Sequence, residues 1–590
     1  MQIVGKIREM VEKAAKELGF ESIDFVVETP ADIANGDYST NIAMSLLKGR
    51  RLFENSIEGS IDTKNVKYGP NFTTPREIAE GLKKKILDTL KNTSDGDIEK
   101  IEIAGPGFIN FYLSRKFFTN SLGNILEKGE NFGKTKTLSG KKIMVEYTDP
   151  NPFKPFHIGH LMSNAIGESI SRLIESQGAD VVRANYQGDV GLHVAKAIYG
   201  LQQKGMPEES LSVSEQAIYI GECYSYGSNE YEDKVEAKEE INKINKAVYE
   251  KSDSEINKIY EWGRKVTLEA FESIYDLLGT KFDYYFFEGK VAQKGIDIVR
   301  SRKDIFTESD GAIVFHGEKY DPKLHTRVFI NSQGLPTYET KEIGLTTEKF
   351  ETEKDLSQSV VITANEQSDY FKVVSKAIEV MHPEMGQKMK HIAHGMLRFA
   401  EGKMSSRKGN IITGESLLRD AKEMVLDKMK DRDITDDEKE EVADIVSVAA
   451  IKYSILKQSI GGDIIYDFEK SISFEGDSGP YLQYGVVRIN SLLGKANKVS
   501  LDTPTQEVSH LERILHRYEE VLANSAEEYA PQKLVNFLVE VVAAYNNFYA
   551  NHQIISDDEY SSYKVALTKA TGTVLTNGLH VLGMKIPKKM

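Results

Sequence analysis

A chain of 590 residues is longer than one ordinary core organises and points to several domains. Its 75 Lys+Arg against 90 Asp+Glu give a net charge of −15, which excludes a uniformly basic coat gripping nucleic acid along its whole length but leaves room for a local RNA-binding face. The single cysteine, Cys223, excludes an intramolecular disulfide and a cysteine zinc cage, and there is neither a signal-peptide pattern nor a run of about 18 apolar residues, so a cytoplasmic protein without membrane attachment is expected.

Ile3, Val4, Ile7, Met10, Val11, Ala14, Ala15 and Leu18 fall at helical spacing and predict an amphipathic first helix. A strand near 22–28, a helical stretch around 40–52, a helix at 76–90 opened by Pro75, and alternating strands over 98–114 complete a small α/β unit, residues 1–120. A connecting helix follows at 117–133. From Lys141 the texture changes: strand 141–147, a proline- and glycine-bearing loop 148–159, helix 160–178, strand 179–185, the opening of a doubly wound nucleotide-binding sheet.

Charged helices over 201–260 break that pattern and read as part of an insertion at about 192–325, within a second domain spanning 121–420. This stretch also localises the charge, with 13 acids against 7 bases over 201–260. Strand and helix signals return at 328–344, 359–367 and 391–399. Beyond Gly409 the chain reads as almost purely helical, a 421–590 domain with amphipathic runs near 415–430, 439–458, 508–523, 532–550 and 560–580.

Two motifs carry chemistry. His157-Ile158-Gly159-His160 stands where the first sheet strand hands over to its helix, at the end where free N–H groups and a positive dipole face a phosphate; Gly159 allows close approach, and both imidazoles can reach phosphate oxygens. Glu401 to Gly409 holds three cations and two hydroxyls between glycines, suited to clamping polyphosphate charge.

Together, His-Ile-Gly-His followed by Lys403-Met404-Ser405-Ser406 resembles the paired signatures of class I aminoacyl-tRNA synthetases. The run 144–167, Gly188-Asp189-Val190-Gly191 and Tyr338-Glu339-Thr340-Lys341-Glu342 resemble the arginyl-tRNA synthetases, of the archaeal-like branch. Segments 35–43 and 104–113 resemble that family's N-terminal tRNA domain, and 479–489 and 580–590 its helical anticodon-binding domain.

The resemblance implies a Rossmann-type α/β catalytic core at 121–420, a D-loop-binding α/β domain at 1–120 and an all-helical anticodon-binding domain at 421–590. It implies ATP-dependent activation of L-arginine to arginyl-adenylate, then transfer to the 3′ end of tRNA(Arg), with release of AMP and diphosphate. Glu146, Asn151, His157, Tyr338, Glu342 and Gln367 would surround arginine, whose rigid, always charged fork of donors calls for carboxylates and planar acceptors. His157, Gly159, His160, Met404, Ser405 and Ser406 would bind ATP, with Lys403, Arg407 and Lys408 closing over its β- and γ-phosphates and Mg2+ bound by the nucleotide itself, not by a protein metal site. Phe108 and Asn110 would meet a D-loop nucleotide, and Tyr481, Tyr484, Arg488 and Met590 the anticodon loop. A monomer is implied, and no editing site, since an unpaired charge already rejects wrong amino acids.

Two departures matter. Ser406 stands where the class signature Lys-Met-Ser-Lys-Ser has its second lysine; Arg407 and Lys408, or Lys154 ahead of the histidines, can restore the charge, and Lys154 is favoured. Glu342 stands where many relatives have Asp. A catalytically dead RNA-binding paralogue and a nucleotidylyltransferase are the competing readings; the first usually loses one motif, and the second is shorter and lacks both tRNA-binding ends.

Overall fold

The computed structural model describes residues 3–20, 24–48, 72–91, 96–399 and 413–590, in two compact units. The first joins Met1–Phe132 to Ile489–Glu520 and Glu540–Val574. Its antiparallel sheet has the order β1-β2-β4-β3, from β1 (Val27–Glu28), β2 (Tyr38–Thr40), β3 (Ile98–Ala104) and β4 (Phe108–Leu113). Helices α1 (Ile3–Glu17) and α2 (Pro75–Lys91) bury Ile7, Val11, Ala14, Ile78, Leu82 and Ile86 in one core with Ile109 and Phe111 of β4. Their three- and four-residue spacing aligns those side chains on one face, and Pro75 starts α2 because the first helical N–H needs no partner.

Helices from late in the chain pack into this same unit, where the sequence separates 1–120 from 421–590. Helix α3 (Arg115–Lys128) is capped by Ser114, and its Arg115 reaches the buried Glu512 and Tyr563. The buried Asp37 is held by Arg513, and the Tyr38 hydroxyl lies 3.2 Å from His516 Nε2.

The second unit comprises Gly133–Arg488, Val521–Val539 and Leu575–Met590. Its centre is a parallel five-stranded sheet of order β12-β11-β5-β6-β7, from β5 (Lys142–Glu146), β6 (Asp180–Gln187), β7 (Tyr284–Phe287), β11 (Leu356–Ala364) and β12 (Met389–His394). Parallel strands need crossover helices, which makes this the doubly wound α/β core expected. Between β7 and β11 lies a small antiparallel sheet of β8 (Phe306–Ser309), β9 (Ala312–His316) and β10 (Thr326–Ile330).

Helix α4 (Ile158–Ser176) follows β5, and α5 (Leu192–Lys204) follows β6. Then come α6 (Val213–Asp233), α7 (Val235–Glu250) and α8 (Ser254–Leu278), the charged helical appendage. One expectation is corrected here: the stretch read as an insertion to 325 returns a strand, β7, to the central sheet. Past Gly409 the described residues are almost purely helical, with one short strand, β14 (Ile464–Tyr466), pairing in parallel with β13 (Leu397–Phe399). Helices α9 (Glu288–Ser301), α10 (Tyr338–Thr352), α11 (Ser368–Met381), α12 (Gly414–Met429) and α13 (Asp436–Leu456) complete the elements that frame the site.

Candidate active site

The loop from β5 to α4 emerges at the carboxyl edge of the sheet, where doubly wound folds bind ligands. Thr148, Asp149 and Phe153 adopt φ of 80°, 48° and 69°, a region non-glycine residues enter only when their surroundings hold them there. The holding contacts are explicit. Thr148 N donates to Ser163 Oγ at 2.9 Å, Asn164 Nδ2 to Thr148 Oγ1 at 3.0 Å, and Tyr186 N to Asp149 Oδ1 at 2.8 Å.

The loop ends in the histidine pair. His157 precedes the first turn of α4 and donates its N–H to His160 Nδ1 at 3.2 Å, and the two rings stack with centroids 3.4 Å apart. His160 is buried and His157 is open to solvent. Burial lowers the His160 imidazole from its ordinary range, with His157 and Lys154 adding to the shift, so near pH 7 it stands neutral beside the helix start. A β-carbon at Gly159 would stand 3.1 Å from His157 Nδ1, so glycine leaves room for the ring. Thr413 forms a β-bridge to His157, and Gly414 N donates to Phe156 O at 2.8 Å, tying the start of α12 to this loop. Lys403, Met404, Ser405, Ser406, Arg407 and Lys408 lie outside the described residues.

Beside the loop is a pocket of buried charge. Glu146, at the end of β5, pairs with Lys349 Nζ at 2.6 Å, both almost fully buried. Glu342 lies two turns before Lys349 on α10; Thr346 Oγ1 stands 3.4 Å from one of its carboxylate oxygens and the Tyr370 hydroxyl 3.5 Å from the other. Glu288, which opens α9, pairs with Lys341 at 2.6 Å. Around them the Tyr186 hydroxyl is buried without a hydrogen-bond partner among the described residues and feels the charges of Glu288, Glu342 and Glu146.

This crowding has consequences for protons. Burial raises Glu342 to about 7, with Lys349 opposing and Glu146 reinforcing the shift. Burial, then Glu146, raises Asp149; burial also raises Glu288 against the pull of Lys341. Burial pulls Lys349 down, but Glu146 and Glu342 outweigh it and hold the ammonium charged. Three buried acids, with the half-buried Asp149 beside them, thus share a pocket with two ammonium groups, an arrangement short of positive charge.

The motif residues differ in how far they converge. Glu146 and Glu342 meet through Lys349, while Asn151 Oδ1 and Glu288 Oε2 both abut Gly188, where any side chain would collide with the amide. Tyr338 is 72% exposed at the start of α10, with Lys341 Nζ 5.0 Å over its ring, and Gln367 is exposed in the turn after β11. Asn110 is 3% exposed and accepts from Ser39 Oγ at 2.7 Å. Phe108 is half-buried at the start of β4. On the helix Gly479–Leu493, Tyr484 is exposed and Tyr481 and Arg488 are half-buried; Met590 packs against the cluster containing Val425, Met429 and Val442.

Sequence reasoning missed Lys349, Asp149, Tyr186, Tyr370 and Glu288. Glu342, Thr346 and Lys349 repeat at i, i+4 and i+7, a polar stripe on a buried helix face that was available as a signal. Glu288 was hidden because β7 was taken for insertion. Asp189 of the Gly-Asp-Val-Gly run positions it: Oδ1 accepts from Gly289 N at 2.9 Å at the start of α9, and Oδ2 from Arg264 Nε at 3.0 Å.

Comparison with known proteins adds three family matches in chain order: the arginyl tRNA synthetase N-terminal domain over residues 2–113, the class I (R) tRNA synthetase catalytic domain over 121–468, and the DALR anticodon binding domain over 482–590. The arginine–tRNA ligase of Clostridium kluyveri is 30% identical over 573 residues, covering 94% of this chain and 100% of its own. That of Clostridium botulinum is 29% identical with full coverage of both. These relatives are bacterial and lend no support to an archaeal-like placement. Arginyl-tRNA synthetases of Thermus thermophilus and Plasmodium falciparum superpose over the whole of both chains with TM-scores of 0.79 and 0.76 at 22% and 19% identity, a likeness of fold. With the catalytic-domain match alone spanning more than half of its length, the chain belongs to the class I arginyl-tRNA synthetases, and its activity is that of an arginine–tRNA ligase.

Proposed function

We propose that the acid-rich pocket beyond β5 and β6 takes the guanidinium of arginine while the His157–His160 loop takes the phosphates of ATP. One observation carries this reading: Glu146, Glu288 and Glu342 are buried together with two ammonium groups, with the half-buried Asp149 beside them, so an arriving guanidinium supplies charge and hydrogen bonds that the pocket lacks. Tyr338, Asn151 and Gln367 supply an aromatic face and amides for the rest of the amino acid.

The substrate carboxylate then attacks the α-phosphorus of ATP, forming the acyl–phosphate bond as the α–β bridge breaks and pyrophosphate leaves. In the second step a terminal ribose hydroxyl of tRNA attacks the arginyl carbonyl and AMP departs. Neither step uses a protein nucleophile, so catalysis is positioning and charge stabilisation. His157 and His160 donate N–H groups to phosphate oxygens, with Lys154 beside them as the replacement for the lysine missing at Ser406; Lys403, Arg407 and Lys408 meet the β- and γ-phosphates. Magnesium is assigned to the phosphates of the nucleotide.

For tRNA, Phe108 offers a stacking face to the D-loop, and Tyr481, Tyr484, Arg488 and Met590 attend the anticodon loop. No helix of the described residues is long and apolar enough to cross a membrane. A cytoplasmic monomer is the state the family resemblance implies. Pyrophosphate exchange with each of the twenty amino acids, with and without tRNA, tests the reading: exchange requires arginine and tRNA together, and exchange with any other amino acid overturns it.

A further inference from the structure

The charged appendage touches three consecutive residues of the β5–α4 loop. Phe153, fully buried with its positive φ, belongs to the appendage's own core with Ile220, Ile241, Ile244 and Val248; it stacks on Tyr260 with centroids 6.1 Å apart and packs against Gly263, where any side chain would collide with its ring. The next residue, Lys154, lays its ammonium 5.4 Å from the ring centroid of Tyr224 on α6. Pro155 follows, and a β-carbon at Gly221, one turn before Tyr224, would stand 3.0 Å from its Cγ.

The register of α6 is itself fixed. Gly200 of α5 abuts the Cys223 carbonyl, and Gly227 of α6 abuts the Lys196 carbonyl, so the two helices cross backbone to backbone on either side of Tyr224. Lys154 in turn faces the site: its charge acts on His157, His160, His193 and Glu288.

We propose that the helical appendage is the positioning element for Lys154, with Tyr224 holding its ammonium over the ring and Phe153 anchoring the loop that carries it. A free lysine side chain loses considerable rotamer entropy when it must stand at one point, and an aromatic face that pre-orders it lowers that cost in the transition state. Tyr224 is a positioning residue, not a catalytic one, and this role rests on the assignment of Lys154 to the phosphates.

Steady-state pyrophosphate exchange with the full-length enzyme, arginine and tRNA tests it. Tyr224→Leu lowers kcat by about fivefold with the KM for arginine unchanged, and Tyr224→Phe, which keeps the ring, stays within about twofold of the parent. Lys154→Met lowers kcat further, and adding Tyr224→Leu to it costs nothing more. Independent, multiplying effects of the two substitutions overturn the proposal, as does a Tyr224→Leu enzyme with parental kcat. A parental kcat in Lys154→Met alone instead removes the assignment of Lys154 to the phosphates, and with it the reason for the ring.

Discussion

Two buried carboxylate clusters flank the same helix, and they are completed differently. Glu168, on α4 two turns beyond His160, receives the Tyr147 hydroxyl at 2.5 Å, Arg172 Nε at 2.6 Å and Arg183 Nε at 3.1 Å. Burial pushes its carboxyl up, but Arg183 and Arg172 outweigh burial and hold it below the ordinary range. In the pocket ahead of α4, Glu342 is buried as deeply, and burial raises it because the single Lys349 ammonium does not offset the lost hydration as two guanidinium groups do for Glu168. An ammonium is a point charge, and the planar fork of arginine answers two acceptors at once. The first cluster shows how this fold satisfies a buried acid with its own arginines; under the proposed function the second leaves that part to the substrate.

Breaking each cluster separates the two. Glu342→Gln lowers kcat/KM for arginine by roughly 10³-fold, since it removes charge-assisted bonds and leaves a buried donor unanswered. The same change leaves folding intact or improves it. The folded-state value of Glu342 is raised above its unfolded value, so ionisation costs stability increasingly from the unfolded value up through about 7, and glutamine removes that cost. Glu168→Gln does the reverse: two guanidinium groups lose a buried partner, stability falls by about 3 kcal/mol, and the KM for arginine holds. Calorimetry and arginine titration on both variants check the pair, and a Glu342→Gln enzyme that unfolds earlier while keeping its arginine KM dissolves the distinction.

The comparison also explains which parts were legible in the sequence. Strand 141–147, the loop and α4 were readable because hydrophobic period and proline and glycine placement agree with the fold there. The histidines at 157 and 160 could be read from their place between strand and helix, whereas 146, 151 and 342 came only from the resemblance. β7 was not readable: four residues after a long charged helix carry too little alternation to register as strand. With it went Glu288, whose position depends on that strand. The pairing of Arg115 with Glu512 and of Asp37 with Arg513 joins residues hundreds of positions apart, and each residue reads locally as a surface charge. Buried lysines such as Lys349 run against the usual preference and are seen only once the carboxylates facing them are located.

A gentler perturbation sharpens the contrast. Arginine binding to a pocket whose Glu342 titrates near 7 must expel a proton at lower pH, so the KM for arginine rises roughly tenfold for each unit below about 7. Glu342→Gln flattens that limb. A KM constant from pH 6 to 8 in the parent enzyme rejects a protonated carboxyl in the free pocket.

The smallest effect comes from Lys452, at the far side of the Glu168 cluster. It is fully buried on α13 and donates to Leu278 O at 2.6 Å and Gly583 O at 2.8 Å, the terminal carbonyls of two chain segments. Burial lowers its amine to about 7, with Arg172 and Lys585 adding to the shift and Glu168 opposing it. The native state therefore binds fewer protons than the unfolded chain between about 7 and the ordinary lysine value, and stability rises with pH across that window. The gain between pH 7 and 8 is about 1 kcal/mol. A neutral amine keeps two N–H groups, enough for both carbonyls, so the contacts survive the loss of charge. Lys452→Met abolishes the slope measured by denaturant titration, whereas a parent enzyme whose stability is flat or falling from pH 7 to 8 places a permanent charge on Lys452 between those two carbonyls.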